Sequence, residues 1–194
     1  VLGLLLVSYA PFAEELSYRI TTIGLIDGLY LLSKARRPSL GKESSKAMRL
    51  LIVGMWKPET LKQVLGLNTI RKDGVRRGIS PFEWTLLLIT SLAFGAVHYL
   101  SGAGWEIGKT STAFLSGLAL GFTYLRYGAY APILLHWFFN YYFGVFDLAS
   151  QLKWAGFDWV SPGIQVLNLG AGTLVVMPLV VVSLAAIWGS RRRI

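Results

Sequence analysis

Long runs of apolar residues separated by short polar breaks make up most of the 194-residue chain. Runs of this length are typical of membrane-crossing helices, because about 20 apolar residues are needed to cross a hydrocarbon core of ~30 Å. The pattern predicts an all-α, polytopic transmembrane bundle with about five spans. The spans are expected at residues 1 to about 32, 82–100, 107–126, 129–148 and 163–189.

The segment from about residue 33 to residue 80 interrupts this pattern. It is basic and contains Pro38, Pro58 and several glycines. Its apolar patch, Met48 to Trp56, is too short to cross a bilayer and is expected to lie on the membrane surface, followed by an amphipathic turn around Leu61. The sequence therefore predicts a solvated basic loop at 33–80.

Composition places the chain in the membrane class. Hydrophobic residues make up 54% of it, and seven tryptophans are present. The absence of cysteine excludes disulfides, cysteine-ligated metals and thiol nucleophiles. Because the chain starts at Val1 inside an apolar run, we expect further residues upstream. We treat 1–194 as a single membrane domain, with its motifs between residues 11 and 140.

The positive charge is local. Of the nineteen lysines and arginines, twelve lie between Lys34 and Arg77, and three more are at 191–193. Basic flanks of apolar spans mark cytoplasmic loops and favour anionic membrane lipid as a partner over nucleic acid. Four predicted spans separate the loop from the tail, so both are expected in the cytoplasm of a multi-pass cell-membrane protein.

Three charges stand inside the first apolar stretch, in the sequence from Pro11 to Arg19. An ionisable side chain at membrane depth is expensive and usually faces a bundle interior or a wet cavity. Pro11 predicts a kink or a fresh helix start. A helix beginning there would place Glu14 and Glu15 in its first turns, where the helix dipole favours anions.

The spacing of these charges predicts two roles. Glu15 and Arg19 are four residues apart and would stack on one helix face as an ion pair. Glu14 is turned about 100° away from Glu15 and is left as a carboxylate for general-base chemistry. The alternative is a structural ion pair that joins two helices.

The only two histidines, His98 and His136, both fall in predicted spans. Phe94 lies one turn before His98 and should pack on its ring, and Asn140 lies one turn after His136. Glu14 with His98 could activate water, and His136 with Asn140 could hold an oxyanion. The alternative is that each histidine is an ordinary buried hydrogen-bonding residue.

Serine-triad and zincin motifs are absent from the sequence, because it contains neither Gly-x-Ser-x-Gly nor His-Glu-x-x-His. Glu14, His98 and His136 could in principle be three zinc ligands with an open fourth position. We expect no metal or other cofactor, and zinc stays open as the alternative.

Together these residues resemble the three motifs of the CPBP family, which comprises type II CAAX prenyl endopeptidases and bacteriocin-processing or immunity relatives. The motifs occur in the family's order, each in a hydrophobic segment: Glu14-Glu15-x-x-x-Arg19, Phe94-x-x-x-His98 and His136-x-x-x-Asn140.

The resemblance implies a fold and a reaction. The family fold is an all-helical intramembrane bundle with a cavity open to the cytoplasm, and its better-known members cleave isoprenylated peptides. By resemblance, Glu14 activates water, His98 helps to hold it, and His136 with Asn140 forms the oxyanion site. Glu15 and Arg19 would be supporting residues. The expected partners are membrane lipid and a peptide or protein substrate.

Two other functional classes use the same residues. A non-catalytic membrane scaffold or immunity protein could keep them as a structural polar network. A proton-coupled transporter is less well supported, because the hydropathy pattern contains no inverted repeat.

The predicted spans place the two histidines at different depths. At ~1.5 Å per residue, His98 lies about 24 Å from the start of its span, and His136 about 10 Å from the same side. The two histidines can lie close together if residues 82–85 are outside the hydrocarbon core of the membrane, or if the glycine-rich link 101–104 dips into it.

Overall fold

The computed structural model describes residues 2–34, 44–101, 107–167 and 170, and these are organised as helices and short connections without strands. A π-helix, Leu16–Leu25, joins the first two α-helices. The α-helices are α1 Leu2–Glu15, α2 Ile26–Lys34, α3 Ser44–Trp56, α4 Pro58–Leu65, α5 Ile70–Gly78, α6 Pro81–Leu100, α7 Ile107–Tyr127 and α8 Tyr130–Gln151.

The chain divides into two compact units, Val1–Tyr142 and Phe143–Ile194. The first contains every predicted site residue. In the second, the end of α8 is followed by a turn with Lys153 at a φ of 47°, and by helical residues 157–167. The rings of Phe146 and Phe157 lie 6.4 Å apart there.

Helices α6 and α7 form a closely packed pair. A Cβ added at Gly117 would lie 3.1 Å from the Ser91 Cα, and one at Gly95 would lie 3.2 Å from the Thr110 carbonyl. Such close backbone approach is typical of small residues at helix contacts in membranes. The Gly117 carbonyl on this face is also a hydrogen-bond acceptor in the candidate site.

The predicted fresh helix start at Pro11 is wrong. Helix α1 runs through the buried Pro11 to Glu15, so both glutamates lie at its end and gain nothing from a helix N-terminus. One missing amide donor is tolerated in a helix supported by its neighbours. The backbone instead widens at Leu16, where the π-helix begins and Thr22 Oγ1 donates to the Ser17 carbonyl five residues earlier at 2.8 Å.

The predicted solvated loop is wrong for residues 44–80, which form α3, α4 and α5 and pack into the first unit. Leu61 is fully buried and Ile70 is 6% exposed. Tyr124 of α7 donates a hydrogen bond to the Met55 carbonyl at 2.6 Å. The prediction failed because a high density of cations is typical of solvated loops. In the structure these helices are amphipathic, and most of their cations face outward.

The main apolar core joins this segment to the π-helix, α7 and the start of α8. It consists of Ile20, Ile23, Ile70, Ile79, Tyr124, Leu125, Ala129 and Ile133. Because the π-helix is held against α7 and α8 here, Glu15 and Arg19 just before this core face the same two helices. The core therefore positions the charged stretch.

Three charged side chains are buried near the start of α6. They are Asp27, Lys62 and Glu83, and we call them the closed cluster. All three are at most 3% exposed. Lys62 forms an ion pair with Glu83 and donates to the Gly78 carbonyl at 2.5 Å. Glu83 also accepts from the Ser80 amide at 2.7 Å in a capping box. Asp27 interacts electrostatically with both partners.

The apolar runs predicted α6, α7 and α8 to within a few residues of their ends. In the part of the chain that the structure describes, α6 alone is long and apolar enough to cross a membrane. The five spans and the cytoplasmic placement of 33–80 and the C-terminus stay predictions. Most of the expected span 163–189, and the basic residues 191–193, lie outside the described residues.

Candidate active site

The ion pair predicted from four-residue spacing is confirmed. Arg19 Nε lies 3.3 Å from Glu15 Oε2, and both side chains are at most 1% exposed. Arg19 Nη2 also donates to the Gly117 carbonyl of α7 at 3.1 Å. The pair thus fixes the π-helix against α7 as well as neutralising one buried carboxylate.

His136 of α8 lies against both glutamates. Its Nδ1 is 2.8 Å from Glu15 Oε1, and its Nε2 is 3.7 Å from Glu14 Oε2. A carboxylate oxygen accepts, so Nδ1 is the donor in the short contact. Glu15 therefore fixes the orientation of the imidazole and turns Nε2 toward Glu14. We call Glu14, Glu15, Arg19 and His136 the pocket cluster.

Glu14 connects this cluster to an open pocket. Its side chain is 30% exposed, whereas that of Glu15 is fully buried. The pocket has a volume of about 390 Å³, and His98 lies on its wall. The complete lining is Ala13, Glu14, Ser17, Tyr18, Val97, His98 and Ser101. One carboxylate of the pair can therefore meet a ligand.

The Phe94 ring brings the two histidines to one place. It lies 4.5 Å from the His98 ring, as predicted, and 5.8 Å from the His136 ring. The Arg19 guanidinium lies 4.8 Å from the same ring. The difference in depth expected from the predicted spans therefore does not separate His98 from His136.

The tautomer of His98 follows from its backbone contact. Nδ1 lies 2.7 Å from the Phe94 carbonyl oxygen, which can only accept. Nδ1 is therefore protonated, and in the neutral ring Nε2 has the lone pair. A neutral His98 of this kind can accept a hydrogen bond from water or from a substrate amide.

Asn140 lies one turn after His136 on α8 and is partly exposed. Among the residues that the structure describes, its side chain has no hydrogen-bond partner. Direct contacts thus connect Glu14, Glu15, Arg19 and His136. His98 lines the same pocket as Glu14. Asn140 is near in sequence but forms no hydrogen bond with this group of described residues.

Several residues that support the site were missed at the sequence level. Tyr18 lines the pocket, and its ring meets Phe94 edge-on at 5.3 Å. Trp137 Nε1 donates to the Ser8 carbonyl at 2.6 Å and so connects α8 to α1. Tyr18 belongs to the charged stretch itself and could have been found there. The Trp137 contact spans 129 positions and leaves no local signal.

Histidine and acidic side chains are the candidate metal ligands of this cysteine-free chain. Within 2–34, 44–101, 107–167 and 170, no three or more histidine or acidic side chains are grouped so that they could hold a metal ion. His98 shares a pocket with Glu14, whereas His136 reaches Glu14 from the buried side.

Comparison with known proteins identifies a family for this chain. A family model described as "Type II CAAX prenyl endopeptidase Rce1-like" matches residues 1–142, which include all six predicted site residues. Neither the curated proteins nor the solved structures include a significant match to the chain.

Proposed function

Because the chain belongs to the Rce1-like family of type II CAAX prenyl endopeptidases, we propose that it is an intramembrane endopeptidase in which Glu14 activates the attacking water. The membership confirms the resemblance drawn from the three motifs and supports protease activity at a membrane. The observation that supports this mechanism best is the position of Glu14, between the open pocket and His136.

Water is activated in the pocket. The Glu14 carboxylate takes one proton from the water, and His98 orients that water through the lone pair on Nε2. The hydroxide then adds to the scissile carbonyl carbon, and the carbonyl oxygen becomes an oxyanion. When the tetrahedral intermediate collapses, protonated Glu14 gives its proton to the leaving amine, so the carboxylate is restored.

The oxyanion is stabilised from α8. With His136 protonated, Arg19 and His136 balance Glu14 and Glu15, so the buried group is neutral as a whole. Nδ1–H is held by Glu15, so Nε2 faces Glu14, and in this scheme Nε2–H donates to the oxyanion that forms beside Glu14. Asn140 supplies the second donor from the next turn of α8.

The substrate is a peptide that lies in or near the membrane. The family name describes prenylated CAAX-type peptides, and the pocket is lined by apolar Val97 and Ala13 together with small and polar residues. A peptide held at the bilayer by a prenyl group would present its scissile bond at Glu14. No cofactor takes part in this scheme.

The test is cleavage of prenylated and non-prenylated CAAX-type peptides by purified protein in lipid, with and without a chelator. Wild type should cleave the prenylated peptide, the chelator should leave the rate unchanged, and His98→Ala should lower turnover about a hundredfold. If the chelator abolishes activity and added zinc restores it, a metal ion rather than Glu14 activates the water.

The alternative is a non-catalytic scaffold or immunity-type protein. The burial of Glu15 and Arg19 fits that function too, because a neutral pair can join helices without any chemistry. No cleavage of any peptide by folded wild-type protein, together with a lower unfolding temperature in Glu15→Gln, would support the scaffold.

A further inference from the structure

A basic pocket lies where α3 meets α4 and α7 meets α8, and none of its lining residues belongs to the pocket cluster. We infer that this pocket binds the phosphate of an anionic phospholipid headgroup. Its volume is about 390 Å³, and three cationic side chains, Lys57, Arg71 and Arg126, stand on its wall with one carboxylate, Glu59.

The carboxylate is already engaged by backbone donors. Glu59 Oε1 accepts from the Ile70 amide at 2.7 Å, and Oε2 accepts from the Arg71 amide at 3.1 Å. Arg126 reaches Glu59 only at 3.9 Å. Glu59 therefore caps the start of α5, and the cations around it exceed what one carboxylate can neutralise.

Close backbone contacts hold the two helix ends that form the pocket. Gly128 has a φ of 86°, and a Cβ added there would lie 2.6 Å from the Trp56 carbonyl oxygen. The Ala129 amide donates to that same oxygen at 2.9 Å. The end of α7 is thus tied to the end of α3, which fixes the backbone at Arg126 relative to that at Lys57.

The aromatic side chains beside the pocket favour a lipid over a soluble anion. Tyr127 and Tyr130 are 67% and 63% exposed, and the Tyr130 ring lies 5.8 Å from that of Trp56. Exposed tyrosine and tryptophan are typical of the headgroup level of a membrane protein. Basic pockets between helices at this level bind anionic headgroups.

The test measures lipid retained by purified full-length protein from mixed phosphatidylcholine and phosphatidylglycerol micelles, using native mass spectrometry. Wild type should retain one phosphatidylglycerol in preference to phosphatidylcholine. The double variant Lys57→Gln, Arg71→Gln, at two exposed positions, should lower phosphatidylglycerol affinity about thirtyfold. The matched control, Arg76→Gln with Arg77→Gln, removes the same charge from exposed positions outside the pocket and should change affinity less than threefold.

Equal losses in the two double variants would overturn the proposal, because they would show diffuse attraction between a basic surface and anionic lipid. Competition by millimolar inorganic phosphate with no preference for phosphatidylglycerol would also overturn it, in favour of a free-anion site. If the double variant does not fold, Lys57→Gln against Arg76→Gln gives the same comparison with a smaller expected ratio.

Discussion

The first unit buries two groups of charged side chains, and they differ in access. In the closed cluster, Asp27, Lys62 and Glu83 are all at most 3% exposed. In the pocket cluster, Glu15 and Arg19 are equally buried, but Glu14 is 30% exposed and lines a pocket. Buried charge alone therefore does not identify a site, since the same chain uses it for both purposes.

The partners of the two clusters explain the difference. Glu83 divides its oxygens between Lys62 and the Ser80 amide, so it caps α6 and pairs with a cation. Glu15 likewise divides its oxygens between Arg19 and His136. Within the described residues, Glu14 makes the longer approach to His136 Nε2, at 3.7 Å. Of the two glutamates that approach His136, the one with the longer contact is the one that lines the pocket.

The largest expected effect on stability comes from breaking the closed cluster. Lys62→Met leaves Glu83 and Asp27 buried without their cation, and the free energy of unfolding should fall by about 3–5 kcal/mol. The measurement is denaturant-induced unfolding in detergent micelles. Lys72→Met, at an exposed position of α5, is the control and should change stability by less than about 0.5 kcal/mol.

A loss below about 1 kcal/mol in Lys62→Met would show that the closed cluster is not structural. The folded fraction of Lys62→Met should also retain wild-type turnover. A large loss of turnover in correctly folded Lys62→Met would remove the distinction between the two clusters.

These two clusters also show what the sequence can predict. The Glu15–Arg19 pair follows from four-residue spacing, and α6 to α8 follow from apolar runs with clear breaks, because both depend on local geometry. The Lys62–Glu83 pair joins residues 21 positions apart and arises only when α4 packs near the start of α6. No periodicity encodes such a contact.

The helix through Pro11 and the packing of residues 44–80 were mispredicted for a related reason. Proline and a run of cations are strong local signals, but neighbouring helices can override them. The widened turn at Leu16 has no sequence signature that we can identify. The contacts of His136 with two glutamates more than 120 positions away required the fold.

The next largest effect is expected at Asn140, which has a proposed catalytic role but no side-chain hydrogen bond within the described residues. Asn140→Ala should lower kcat about a hundredfold if Asn140 donates to the oxyanion. Its unfolding temperature should stay within about 2 °C of wild type, because its side chain has no hydrogen-bond partner in the described part of the chain. Asn68→Ala, at an exposed position before α5, is the control for kcat. Unchanged turnover in Asn140→Ala would exclude Asn140 from the pocket cluster's chemistry.

A smaller effect tests how α8 is held beside α1. Trp137→Phe removes the 2.6 Å hydrogen bond to the Ser8 carbonyl and should lower stability by about 1 kcal/mol. Turnover should fall severalfold, because His136 is the adjacent residue. Trp84→Phe, at an exposed position of α6, should change neither quantity. Equal effects of the two substitutions would argue against a specific connection between α8 and α1.

Turnover of Glu14→Gln tests most directly whether Glu14 is the catalytic carboxylate. The substitution keeps the shape of the side chain and removes its ability to accept the proton of water. With a prenylated CAAX-type peptide and protein in lipid, we expect kcat to fall about a thousandfold with an unfolding temperature within about 2 °C of wild type. Turnover within tenfold of wild type in folded Glu14→Gln would show that Glu14 is not the catalytic carboxylate.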